Sequence, residues 1–144
     1  MIILDTNVLI RYATQDDPEQ SHQANQLIER HDALPDSMLI PNEVIIEIVW
    51  VLDSCYQRSI DEIYAFLNQM AQVDSFVFQD DDLIREAIQI YGKAHLDIAD
   101  ILLALLARKK NSKLVTFDRR LRTVFPHNTE SPIEILEQLQ SQQK

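Results

Sequence analysis

A chain of 144 residues, 46% of them hydrophobic, is enough for one compact domain with a core of its own. A formal net charge of −10 argues against a broad phosphate-binding face, because Lys and Arg supply most of the affinity for nucleic acid. A single glycine, Gly92, excludes the P-loop and dinucleotide fingerprints, a single cysteine excludes an internal disulfide, and four histidines (His22, His31, His95 and His127) without HExxH spacing or cysteine pairing argue against zinc.

Residues 2–4 read as a first strand. Met1 stands directly on this apolar run, with no basic segment, no small-residue cleavage site and no apolar stretch of about 18 residues, so the expected compartment is the cytoplasm, without a membrane span. Asp5 follows the strand at once, and Arg11, one or two turns on, reads as half of a surface ion pair, with a phosphate contact as the sharper reading. A helical pattern over 18–32 begins on Pro18, a second strand covers 38–40, and a second helical pattern runs over 42–56. On that helix Trp50, with Val49 and Leu52, reads as core or subunit-interface packing, and Cys55 as a packed thiol rather than a nucleophile. Further helices are expected over 60–72, 81–94 and 98–110, strands over 76–78 and 113–117, and a short helix over 132–140 beginning at Pro132. The tyrosines 12, 56, 64 and 91 fall on different helices and form no stacking series. Alternating strands and helices predict an α/β fold, a three-layer α/β/α sandwich around a central parallel sheet. No repeat or linker divides the chain, so one domain over 1–140 with a polar tail at 141–144 is expected.

Chemistry is therefore left to carboxylates. Asp5 follows the first strand, and Asp118 follows Leu114-Val115-Thr116-Phe117, so both are expected at the carboxyl ends of parallel strands, where open α/β sheets place ligands. Each also has a plain structural reading, Asp5 as a helix N-cap and Asp118 as a turn residue. Glu47 and Asp100 stand out differently, because each interrupts an otherwise apolar helical run, Val44 to Leu52 and Ile98 to Ala107. A buried ionised acid needs a cation, supplied by a structural salt bridge or by a metal. Four carboxylates from separate elements suit a hard divalent ion and metal-assisted hydrolysis of a phosphodiester. Of the 13 basic residues, seven (Arg108, Lys109, Lys110, Lys113, Arg119, Arg120 and Arg122) crowd around Asp118, as a solvated helix end or a phosphate-facing rim.

Four segments carry a resemblance: Leu4-Asp5-Thr6-Asn7-Val8-Leu9-Ile10, Glu47 ahead of Val49-Trp50-Val51-Leu52, Asp97-Ile98-Ala99-Asp100, and Thr116-Phe117-Asp118. In order and spacing, over roughly residues 2 to 138, they resemble the PIN domain, and specifically the VapC-type toxins of toxin–antitoxin pairs. The resemblance implies a ribonuclease using Mg²⁺ or Mn²⁺ held by Asp5, Glu47, Asp100 and Asp118, with Asn7 and Thr116 supporting the site by hydrogen bonds. It also implies a cognate antitoxin and a homodimer. Asp97, three residues before Asp100, reads as a secondary ligand or an N-cap, and Glu43 as an ordinary first-turn acid, with a substitute for Glu47 as the sharper reading. The chain departs from the family at 111–112, where Asn111-Ser112 replaces a frequent glycine, and asparagine tolerates the left-handed turn. The alternatives are a haloacid-dehalogenase-like phosphatase with Asp5 as nucleophile, disfavoured because no second acid lies two residues on, and a catalytically silent α/β protein-binding module.

Overall fold

The computed structural model describes residues 1–143. In chain order the elements are β1 (Ile2–Ile3), α1 (Thr6–Thr14), α2 (Pro18–His31), β2 (Met38–Ile40), α3 (Asn42–Ser54), α4 (Ile60–Met70) and β3 (Phe76–Phe78). There follow α5 (Asp81–Ala94), α6 (Ile98–Lys109), β4 (Leu114–Val115), α7 (Arg119–Val124), β5 (Thr129–Glu130) and α8 (Pro132–Gln142). The fold is α/β, a central parallel sheet flanked by helices. β2 lies between β1 and β3 with Ile2 opposite Met38 and Met38 opposite Phe76, and β4 pairs in parallel with β5 in a separate ladder. Parallel neighbours cannot be joined by tight turns, so α1–α2 carry the chain from β1 to β2 and α3–α4 carry it from β2 to β3.

The buried residues explain this arrangement. On β2 and β3, Met38, Ile40, Phe76 and Phe78 are buried while Leu39 and Val77 between them are half-buried, as expected of strands covered on both faces. The helices add Leu9, Ile10, Ile45, Ile48, Ile63, Leu67, Ile84, Ile88, Ile98 and Ile101 to one core. Helix starts are specified locally: Ser59 with Glu62 and Ser131 with Glu134 form capping boxes, and Pro18 and Pro132 occupy first turns. With one glycine available, the left-handed positions fall to Gln15, Asp36, Gln57, His95 and Asn111. Asn111 is the turn residue expected in place of glycine.

Strands 38–40 and 76–78 and helix 81–94 match the residues expected from the sequence. The fourth strand is shorter, Leu114–Val115, and α8 runs on to Gln142, into the expected polar tail, whose last residue, Lys144, lies outside the described residues. Helix α7 and strand β5 have no counterpart among the expected elements, whereas α1 is the helix that the N-cap reading of Asp5 implies. α7 is six residues long with three arginines, too short and too basic for an apolar period, and β5 is a polar pair, Thr129–Glu130. Cys55 corrects the expectation of a packed thiol. The buried stripe of α3 ends at Leu52, and Cys55, at the C-cap where the chain turns toward left-handed Gln57, is exposed.

Gly92 marks the closest approach of α5 to α4. A Cβ there would lie 2.5 Å from Cδ2 and 2.9 Å from Cγ of Tyr64, and that ring is tethered by its hydroxyl to Gln89 at 2.9 Å. Gly92→Ala gains about 1 kcal/mol of helix propensity, but overpacking costs about 1–3 kcal/mol. Because Cγ is the root of the ring, the ring cannot swing clear, and overpacking wins. A urea titration of Gly92→Ala should show a net loss of about 1 kcal/mol, and an unchanged or raised midpoint would contradict this packing.

Candidate active site

Asp5 is the N-cap of α1. Its Oδ1 accepts the Thr6 N–H at 2.8 Å, which occupies one carboxylate oxygen in the cap. Thr6 is 2% exposed and its hydroxyl donates to Glu47 Oε2 at 3.0 Å, across 41 residues of sequence. One threonine therefore ties the acid after β1 to the acid of α3. Thr6 is not among the residues expected at the site from the sequence. The available signal was a small hydroxyl residue at a position otherwise filled by the core, directly beside a candidate acid.

A second group forms where α6 and α7 begin. Asp97 is the N-cap of α6, its Oδ1 accepting the Ala99 N–H at 2.8 Å, and Asp118 is the N-cap of α7, its Oδ1 accepting the Leu121 N–H at 3.0 Å. Asp100, half-buried in the first turn of α6, lies within the fields of both. Burial first, then Asp97 and Asp118, hold its carboxyl above the ordinary aspartate range. Thr116 accepts the Asp118 N–H at 3.1 Å, so it fixes the backbone that presents Asp118. Asn7 is exposed at the mouth of a separate recess that Arg11 also lines.

Two corrections follow for the helical acids. Glu47 is exposed, not buried: its sequence neighbours are apolar, but at 100° per residue Glu43, Glu47, Trp50 and Ser54 share the solvent side of α3. Trp50 is accordingly 62% exposed and takes no part in the core of this chain. Asp100 stands in the first turn of α6, where an acid complements the helix dipole, so it does not interrupt the helix as its apolar neighbours suggested. Glu43 is an exposed first-turn acid of α3, as expected.

The structure therefore joins Asp5 to Glu47 through Thr6, and gathers Asp97, Asp100 and Asp118 electrostatically. Among the described residues, no three acidic, histidine or cysteine side chains converge closely enough to hold a metal ion. Nor does any Lys, Arg or His among them form an ion pair with Asp5, Glu47, Asp97, Asp100 or Asp118. The structural salt bridge weighed for Glu47 and Asp100 is thus not what is found. An all-oxygen donor set without a protein cation fits a hard divalent ion in its chemistry.

The basic residues are largely committed elsewhere. Arg108 pairs with Glu86, Lys113 with Glu130 at 3.7 Å and Arg122 with Glu134 at 3.4 Å, while Arg120 donates to the Ala94 carbonyl at 2.8 Å. Lys109, Lys110 and Arg119 are exposed and outside these ion pairs. Arg11 pairs with Asp16 at 3.2 Å, as expected of a surface ion pair. The Tyr56 hydroxyl, donating to the same carboxylate at 2.7 Å, leads the effects that lower Asp16 to about 2.

A model of the PIN domain matches residues 2–124 of this chain. A VapC ribonuclease of Aquifex aeolicus (strain VF5) is 30% identical to it over 123 residues, 85% of this chain and 90% of that protein. No solved structure matches it significantly.

The raised proton affinity of Asp100 has a definite sign in stability. The folded state holds this proton more tightly than the unfolded chain, so ionising Asp100 costs stability as pH rises from the ordinary aspartate value of 3.8 through the raised one. Below both values the cost is absent. In EDTA at neutral pH, Asp100→Asn should melt above the wild type, with the difference shrinking as pH falls below that ordinary value. A variant that melts lower at neutral pH, or a difference independent of pH, would contradict the electrostatic picture.

Proposed function

The chain belongs to the PIN domain family, and from that premise we propose that it is a divalent-metal-dependent ribonuclease, the toxin of a toxin–antitoxin pair. The observation that carries the reading is the set of carboxylates, Asp5, Glu47, Asp100 and Asp118, none of them paired with a protein cation among the described residues. On the oxygen-only chemistry of these acids, no three of which converge in the structure, we assign Mg²⁺ or Mn²⁺ to the four, with Asp97 at the margin of the site. Held there, such an ion would supply Lewis-acid charge and activation of water. The chain's residues do the rest. The cap bonds of Asp5 and Asp118 fix one oxygen of each carboxylate and leave the other for a ligand, Thr6 orients Glu47, and Thr116 steadies the backbone at Asp118. Asp100, whose proton affinity is raised by burial and then by Asp97 and Asp118, is the acid whose charged form a bound cation would favour most. The VapC ribonuclease relative supports RNA as the substrate. The family match gives the phosphatase alternative no support.

The same reading supplies partners. Exposed Leu103 and Leu106 on α6, and Ile133, Leu136 and Leu139 on α8, recur at helical spacing and support protein partners, a second copy of the chain and a cognate antitoxin. Acids without internal cations suit an arginine from such an inhibitor. No described helix is long and apolar enough to cross a membrane, and we place the protein in the cytoplasm.

The test is cleavage of total RNA with Mg²⁺, Mn²⁺ or EDTA. Cleavage should require the ion. Thr6→Val, which deletes the hydrogen bond to Glu47, should lower metal affinity or rate by about 10- to 100-fold, and Thr6→Ser should restore most of it. Asp5→Asn and Asp100→Asn should cost more than Thr6→Val. Undiminished cleavage in EDTA, or in Asp100→Asn, would reject the metal reading, and no cleavage under any condition would favour a silent binding module.

A further inference from the structure

Trp50 stands one helical turn beyond Glu47 on α3, and Asp97 one turn before Asp100 on α6. Between these helices lies a recess of about 370 Å³ whose lining includes Trp50, Asp53, Tyr91, His95 and Asp97. Two of its lining residues, Trp50 and Asp97, thus stand about 5 Å along the helix axis from Glu47 and Asp100, which do not themselves line it. Its contents are unusual. The indole, 62% exposed, offers an open aromatic face. Tyr91 is 5% exposed as a residue and lines the recess, and its hydroxyl, unbonded among the described residues, is not one of the buried polar atoms left without a partner. Burial, then Asp53 and Asp97, raise that hydroxyl to about 12, so it stays a donor at neutral pH. Asp97 gives one oxygen to the α6 cap and keeps the other, and Asp53 forms no ion pair among the described residues.

An aromatic face beside carboxylate acceptors repels phosphate and selects a flat ring carrying N–H donors. Unpaired bases of RNA are such rings, bound by stacking on aromatic side chains and by hydrogen bonds to their edges. Guanine fits best, because its adjacent N1–H and N2–H groups match the two oxygens of one carboxylate, whereas uracil has one N–H flanked by two carbonyls that an acid repels. Resting on the ribonuclease reading, we infer that this recess is a nucleobase subsite that takes a guanine next to the scissile phosphate, stacked on Trp50 and read by Asp53. An RNA strand whose phosphate sits at the acids has its neighbouring base within reach of the recess.

Trp50 is the protein's one tryptophan, so its emission reports this site alone. Titration of the wild-type protein with guanosine should quench it with an affinity at least about tenfold above that for uridine, the size of one good bidentate contact. Asp53→Asn should abolish that difference. On RNA, Trp50→Ala should lower kcat/KM at guanine-containing sites by about tenfold or more, Trp50→Phe should restore most of it, and thermal melting should show both variants folded. Guanosine quenching without RNA cleavage under any metal supports the subsite while removing the ribonuclease. RNA cleavage with no quenching and no effect of Trp50→Ala overturns the subsite and leaves the ribonuclease standing. Quenching by argininamide but not guanosine, or emission that changes on dilution, also overturns it, in favour of a protein partner or a second copy covering Trp50.

Discussion

The first amides of a helix have no partners within it, and this chain satisfies four such ends with aspartates, Asp17 at α2 and three at the candidate site. Asp5 caps α1, Asp97 caps α6 and Asp118 caps α7. Each cap bond uses one carboxylate oxygen, so the same residue can start a helix and still present an oxygen outward. The structural and the functional reading of these acids therefore do not compete. A cap is worth about 1 kcal/mol to the helix, and the helix dipole returns a further 0.3–1 kcal/mol or so to the negative charge. That compensation is incomplete at Asp100, which caps nothing and is pushed toward its protonated form by burial and by two of its capped neighbours.

The tie between Thr6 and Glu47 works over a longer range. A hydrogen bond to a charged group contributes about 1.5–3 kcal/mol, and here it holds the exposed end of a glutamate, a side chain that otherwise has many rotamers to lose. Thr6 is fixed in turn by its own burial, beside Leu9 and Ile10 at the start of α1. Packing of the core thus reaches the candidate site through one hydroxyl.

Much of this was legible in the sequence where signals were periodic. The alternation of 38–40 and 76–78 with helical stretches gave the α/β class, and the four ordered acid motifs led to the PIN family, to which the chain belongs. The side-chain environments were less legible. Glu47 looked buried because its neighbours in sequence are apolar, but a helix separates sequence neighbours by 100°, and the chain leaves Trp50 exposed on the same side. The Thr6–Glu47 bond spans 41 residues and has no local signature. α7 and β5 are too short to show a period, and their places come from tertiary contacts such as buried Leu121 and Phe125.

The shortage of glycine reaches into the unfolded chain. Five left-handed positions are filled by Gln15, Asp36, Gln57, His95 and Asn111, each strained by about 1–2 kcal/mol relative to a right-handed residue, less for Asp and Asn. Glycine would relieve that strain but would enlarge the denatured ensemble, at a cost of about 0.4–1 kcal/mol for each replacement. The two effects nearly cancel at Asp36 and Asn111, and at Gln15, Gln57 and His95 they leave a net strain of about 1 kcal/mol or less. What the chain retains is a stiffer disordered state, with less conformational freedom to give up when it folds.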